Sequence, residues 1–176
     1  MKKFLILVLA ALFLLPACGK QDDPDTPEDV NTTPVAAVMA YSFSVSSDML
    51  ATFDLTVEYY DADGKVHTES MTQAAWSKNV KSPLPATLGA RLKVALKAGA
   101  DVSSEETIKV DHGYSYKGSV VNERGEAMDA FQGGTNSSLS ITRNKISAWL
   151  DNHSDGLVKF LYTFDRNGNH SEGKWN

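Results

Sequence analysis

Apolar and polar residues alternate with a period of two along much of this chain, and no long amphipathic helical stretch competes with that pattern. Successive side chains leave a strand on opposite faces, so such alternation places one face in a core and the other in water. It is plain in Tyr41-Ser-Phe43-Ser-Val45 and in Phe53-Asp-Leu55-Thr-Val57-Glu-Tyr59. It returns from Leu88 to Lys97 and from Thr107 to Lys117, with Val120 and Val121 extending the latter. Residues 53–70 read as a hairpin, closed by the turn Asp61-Ala-Asp63-Gly64-Lys65 and returning through Val66 to Ser70. A second hairpin joins 157–164 to 170–175 through Asp165-Arg-Asn167-Gly168-Asn169, and Asn122-Glu-Arg-Gly125 is a further turn. Ser82-Pro-Leu-Pro85 interrupts any ladder and marks a sheet edge or a crossing between sheets. Phe131 to Ser138 reads as a flexible polar loop. Residues 139–152 fit either a strand followed by a short helix near 143–151 or two strands. Eight or more short strands predict an all-β fold, a sandwich or a barrel.

The strand pattern is confined to 35–176. Residues 1–17 open with Met-Lys-Lys and run through an apolar stretch from Phe4 to Leu15. That stretch is too short for the roughly 20 residues of a bilayer-spanning helix and reads as a secretory signal. Residues 19–34 hold five carboxylates, three prolines, Lys20 and the single aliphatic Val30. Such a segment buries too little to offset chain entropy, and its charges and prolines keep it extended as an acidic tether. The expected organisation is therefore a signal at 1–17, a tether at 18–34 and one domain at 35–176. Losing Lys2 and Lys3 with the signal takes the net charge from -5 to -7, of which -4 lies in 18–34. The domain itself is weakly acidic and offers no basic footprint for phosphate, which argues against a nucleic-acid partner. One cysteine in 176 residues excludes an intrachain disulfide and a cysteine-based zinc cluster.

That cysteine, Cys18, stands in Leu15-Pro16-Ala17-Cys18. The four residues resemble the lipobox of bacterial lipoproteins, in which a leucine three places ahead and a small residue just ahead precede the modified cysteine. The resemblance implies lipidation of the Cys18 thiol, cleavage before it, and a membrane partner reached through the acyl chains. Several chains at roughly 0.8 kcal/mol per buried methylene anchor stably, where one chain holds only marginally. Cys18-Gly-Lys-Gln-Asp22-Asp23 is similar to the surface-export signal of Bacteroides-group lipoproteins. The implied location is the cell envelope as an outer-membrane lipoprotein, facing the periplasm or the surface. Tyr162-Thr-Phe-Asp165-Arg-Asn-Gly168-Asn169 resembles the junction before the closing strand of fibronectin type III-like domains, and Tyr59-Tyr60-Asp61 to Lys65 looks similar. With that resemblance, the expected fold is a single Ig- or fibronectin-like antiparallel β-sandwich.

Candidates for chemistry are sparse. His67, His112, His153 and His170 are widely spread, and none sits in a tight metal-ligand spacing. There is no Gly-x-Ser-x-Gly elbow, and the cysteine is assigned to lipid, so covalent catalysis has no visible nucleophile. Asp151 to Gly156 partly matches a calcium loop, but its twelfth position is Tyr162 where a bidentate carboxylate is needed. Turn chemistry explains this loop and Asp165 to Asn169 better. No cofactor or metal is expected. The remaining candidates are aromatic. Trp76 stands in a segment between strands, Tyr114 and Tyr116 share one strand face, and Trp175 lies near the end. These four are candidate contacts for a glycan or a partner protein, with core packing as the competing role. The expected function is non-catalytic binding of an envelope protein or glycan, ahead of an accessory subunit of a surface assembly and a small glycan-acting hydrolase.

Overall fold

The computed structural model describes residues 32–175, so the signal expected at 1–17 and nearly all of the tether expected at 18–34 lie outside the described residues. The described chain is an antiparallel β-sandwich built from open sheets. Strands β1 (Pro34–Val45), β4 (Ala75–Pro83), β7 (His112–Asn122) and β8 (Ala127–Ser137) form one sheet, in the order β4-β1-β7-β8. The facing sheet holds β2 (Phe53–Tyr60), β3 (Val66–Ser70), β5 (Ala86–Leu96), β10 (Val158–Phe164) and β11 (His170–Glu172), in the order β11-β10-β5-β2-β3. A small third sheet pairs β6 (Thr107–Lys109) with β9 (Ser140–Thr142).

The alternation does what a period of two dictates. Met39, Tyr41 and Phe43 of β1 meet Val57 of β2 and Leu88 and Leu92 of β5 in the core, all of them buried. Rings from the two sheets meet directly, with Tyr41 at 5.8 Å and Phe43 at 6.1 Å from Phe160 of β10. The prolines at 83 and 85 fall where the chain leaves β4, an edge strand, and crosses to β5 in the other sheet. There the Ser82 hydroxyl donates to the Ala62 carbonyl at 2.9 Å, tying the crossing to the first hairpin.

Both expected hairpins are present, and their turns share one geometry. The Asp61 carboxylate accepts from the N–H groups of Asp63 and Lys65 at 2.9 and 2.8 Å. Asp165 does the same for Asn167 and Asn169 at 2.8 and 2.9 Å, which is the turn role anticipated for that loop. The Asn122 turn repeats the pattern, with its side-chain oxygen accepting from Arg124 and Glu126. Glycine follows three residues after the Asx residue in each case because the backbone there is left-handed, at φ 72°, 81° and 81° for Gly64, Gly125 and Gly168.

Between 139 and 152 the strand-then-helix alternative is the one adopted: β9 runs into a 3₁₀ turn (Arg143–Lys145) and α2 (Ile146–Asp151). Ile146 is fully buried, and Trp149 packs on Phe53 at 5.5 Å. A six-residue helix, α1 (Ser47–Thr52), joins β1 to β2 and had no periodic signature. Ser46 caps it by accepting from the Met49 N–H at 3.3 Å, worth about 1 kcal/mol. Asp48 accepts from the Lys109 N–H at 2.8 Å, fastening the helix to β6.

Three expectations need correction. Residues 131–138 are not a loop: all but Ser138 belong to β8, paired with β7 along its whole length. Packing across the pair supplies what local propensity lacks. The Phe131 ring lies over Gly118 and the Tyr116 ring over Gly133, so closely that a Cβ on either glycine would meet ring carbons at 2.3 and 2.5 Å. Trp76 is not between strands but inside β4, opposite Phe43 of β1. The single strand expected from 107 to 117 is two, because β6 pairs with β9 while β7 enters the large sheet.

Candidate functional site

The four aromatic candidates are dispersed over three places. Tyr114 and Tyr116 do share a face of β7, but it is the inward face. They stack on each other at 6.4 Å and on Phe160 at 5.7 and 4.6 Å. The Tyr116 hydroxyl meets that of Tyr162 at 2.6 Å, and burial together with this contact raises the Tyr162 pKa. Next to them, at the β8–β11 side of the sandwich, His170 stacks on Phe131 at 4.1 Å and pairs with Asp129 at 3.3 Å.

Trp76 belongs to a clasp at the opposite side, where edge strand β3 of one sheet meets edge strand β4 of the other. Glu69 on β3 accepts from the Tyr59 hydroxyl at 2.7 Å, the Trp76 indole N–H at 2.8 Å and the Lys78 ammonium at 2.7 Å. These three donors, Lys78 foremost, hold its pKa down at about 2. Lys78 also sits 4.9 Å from the centre of the Tyr59 ring.

Trp175 lies against the outer face of the five-stranded sheet. Its indole N–H donates to the Phe160 carbonyl at 3.0 Å, prolonging the ladder beyond the three-residue β11. Its ring packs 5.1 Å from Tyr60 and 4.7 Å from the Arg91 guanidinium. Arg91 in turn binds Glu58 at 2.6 Å and Asp155 at 3.1 Å. Burial pushes the Glu58 pKa up, but hydrogen bonds and charge from Arg91 and Lys93 outweigh it and leave the pKa lowered.

A concave surface built from small side chains lies elsewhere, on the outer face of the four-stranded sheet. The strand registers arrange it as successive rows across β4, β1, β7 and β8. One row is Ala75, Ser44, Gly113, Asn136; the next is Ser77, Ser42, Ser115, Gly134. Then come Asn79, Ala40, Lys117, Gln132 and, beyond them, Lys81, Val38, Ser119, Ala130. No carboxylate stands in these rows, although the protein as a whole carries a net charge of -5.

The small side chains of β7 leave a trough between β1 and β8. It consists of two hollows that share Lys117 and Gln132. One, of about 610 Å³, is lined by Ser42, Ser44, Ser115 and Asn136 from the outward rows of the three strands. The other, of about 530 Å³, is lined by Val38, Ala40, Ala127 and Ala130. Ser42 and Ser115 are bonded to each other through their hydroxyls at 2.8 Å. Sequence reasoning overlooked this face because it sought large aromatic side chains. The signal was the run of serine, alanine and glycine on the wet side of β1 and β7.

Lys117 is the one charged residue among those lining the two hollows. Among the described residues no three His, Cys, Asp or Glu side chains converge as metal ligands. No family model matches this chain, and no curated protein and no solved structure matches it either.

Proposed function

We propose that this chain is a lipid-anchored cell-envelope protein whose sandwich domain is a non-catalytic binding module for another envelope protein. Cys18, outside the described residues, carries the lipid in this reading, and 19–34 hold the domain away from the membrane. The observation that carries the binding assignment is the trough on the outer face of the four-stranded sheet. It joins a hydroxyl- and amide-lined half to a methyl-lined half and has no carboxylate. A protein segment offers both backbone polar groups and apolar side chains to such a surface. A glycan is favoured by flat aromatic faces, whereas Tyr114 and Tyr116 are stacked inward and Trp76 and Trp175 are engaged with Glu69, Tyr60 and Arg91.

The test is capture of envelope proteins by residues 31–176, with a glycan array run in parallel. Wild-type protein is expected to retain a protein partner that Ser115→Arg loses, with the melting temperature of the variant unchanged. Retention by both, or binding to glycans alone, would overturn the assignment. The anchor is tested separately: Cys18→Ala is expected to leave the membrane fraction, and its persistence there would refute lipidation.

A further inference from the structure

We infer that β8 is a pairing edge for a second copy of this chain, joining two four-stranded sheets into one of eight strands across a two-fold axis. The inference does not depend on the trough having a ligand. It begins from how the edges of the two large sheets are protected. Natural edge strands are blunted by charge, proline or shortness, because an open row of N–H and C=O groups templates further pairing. Strand β4 carries Lys78, Lys81 and Pro83, β3 has five residues including His67 and Glu69, and β11 has three and is prolonged by Trp175. Strand β8 has eleven residues, no proline and no basic residue. Its one acid, Asp129, is turned to His170.

The ladder phase identifies the open groups. The Val45 N–H donates to Ala74 and the Leu84 N–H to Val35, so odd-numbered residues of β1 bond toward β4. The Ser46 N–H donates to Asp111, so the even ones bond toward β7. Carried through the printed registers, this alternation makes Asp129, Phe131, Gly133 and Thr135 bond to β7. The N–H and C=O groups of Ala130, Gln132, Gly134 and Asn136 then face away from it, and none has a backbone partner among the described residues.

Antiparallel self-pairing centred on Gln132 satisfies the groups of Ala130, Gln132 and Gly134 in both copies, while Asn136 falls opposite Met128 at the bulge. Ala130 comes opposite Gly134 of the partner copy, and the two Gln132 residues face each other. On the inward face the same register sets Phe131 opposite Gly133. That repeats the ring-over-glycine pairing already present between Gly118 and Phe131 and between Tyr116 and Gly133. Asp129 comes opposite Thr135, so no like charges meet. Adjacent glycines inside a strand weaken it alone and suit close approach by another backbone, which accounts for Gly133 and Gly134 in this edge.

The experiment is sedimentation equilibrium on residues 31–176, which hold the whole core and no cysteine. Over a concentration series the mass is expected to approach twice that of the monomer. Gln132→Lys sets two ammonium groups opposite each other and is expected to give a monomer that keeps the wild-type far-UV circular dichroism and unfolds cooperatively, at a melting temperature that no longer depends on protein concentration. Gln132→Cys is expected to form a disulfide-linked dimer on mild oxidation. Ala130→Cys is not, since its counterpart lies four residues off register. A wild-type protein that stays monomeric overturns the inference, including the case in which β8 pairs only with a strand of another protein. So does a dimer that Gln132→Lys leaves intact, or equal cross-linking through 130 and 132.

Discussion

Replacing Glu69 by alanine isolates the clasp that closes the sandwich between β3 and β4. The substitution removes three hydrogen bonds and leaves the hydroxyl of Tyr59, itself buried, without its acceptor. Hydrogen bonds to a charged group contribute about 1.5–3 kcal/mol where water is excluded. Here the Glu69 and Lys78 side chains are 37% and 38% exposed, so solvent screening takes back a large part. A net cost of about 2 kcal/mol is expected, near 8 °C in melting temperature for a domain of this size. The pH dependence follows from the sign of the shift. Glu69 has its pKa held at about 2 in the folded protein against 4.5 ordinarily, so its stabilisation is present above about pH 4.5 and is lost as pH falls toward 2. Urea unfolding of wild type and Glu69→Ala at pH 7 and pH 3 measures this. The difference between the two proteins should shrink to less than half at pH 3. A difference below about 0.5 kcal/mol at pH 7 would refute the clasp, because it is smaller than one ordinary hydrogen bond. An undiminished difference at pH 3 would refute its electrostatic origin.

Two more substitutions probe polar groups with opposite expected signs. The Tyr41 hydroxyl is buried with no well-formed hydrogen bond among the described residues; burial raises its pKa, and a backbone contact at Gly89 offsets only part of that. Tyr41→Phe should therefore stabilise by about 1 kcal/mol in denaturant unfolding, and a loss of stability would reveal an acceptor for that hydroxyl. Trp175→Ala removes the indole bond to Phe160 and the contact with Arg91, and should cost about 2 kcal/mol while leaving partner capture unchanged. Lost capture with unaltered stability would instead make Trp175 a contact residue.

The parts of the fold that were legible are those in which local chemistry suffices. Alternation located β1, β2, β5 and β10, and the Asx residue with a glycine three places on located the turns at 61, 122 and 165. What was missed depends on partners distant in sequence. Strand β8 reads as a loop because Gly133-Gly134-Thr-Asn has no local strand preference, and the ring that fills the Gly133 position, that of Tyr116, lies across the pair in β7, as Phe131 of β8 in turn fills the Gly118 position of β7. Strand β4 was obscured because Lys78 faces inward where an apolar residue belongs, an exception that Glu69 of the other sheet supports. The aromatic candidates failed to converge for a related reason. Composition separates large from small side chains but does not say which face of a strand is covered, and here Trp76, Tyr114 and Tyr116 face inward while Trp175 packs on the outer face of the five-stranded sheet. The trough became visible only when the registers of four strands aligned their small residues.

In the proposed function the outer face of the four-stranded sheet is the binding surface. The most direct measurement is photo-crosslinking in intact cells, with the reactive group placed at Ser115 in the trough and, separately, at Thr163 on the outer face of the five-stranded sheet. Discrete adducts to another envelope protein from position 115, and none from 163, are the predicted result. Adducts from 163 alone, or the same products from both positions, would contradict it.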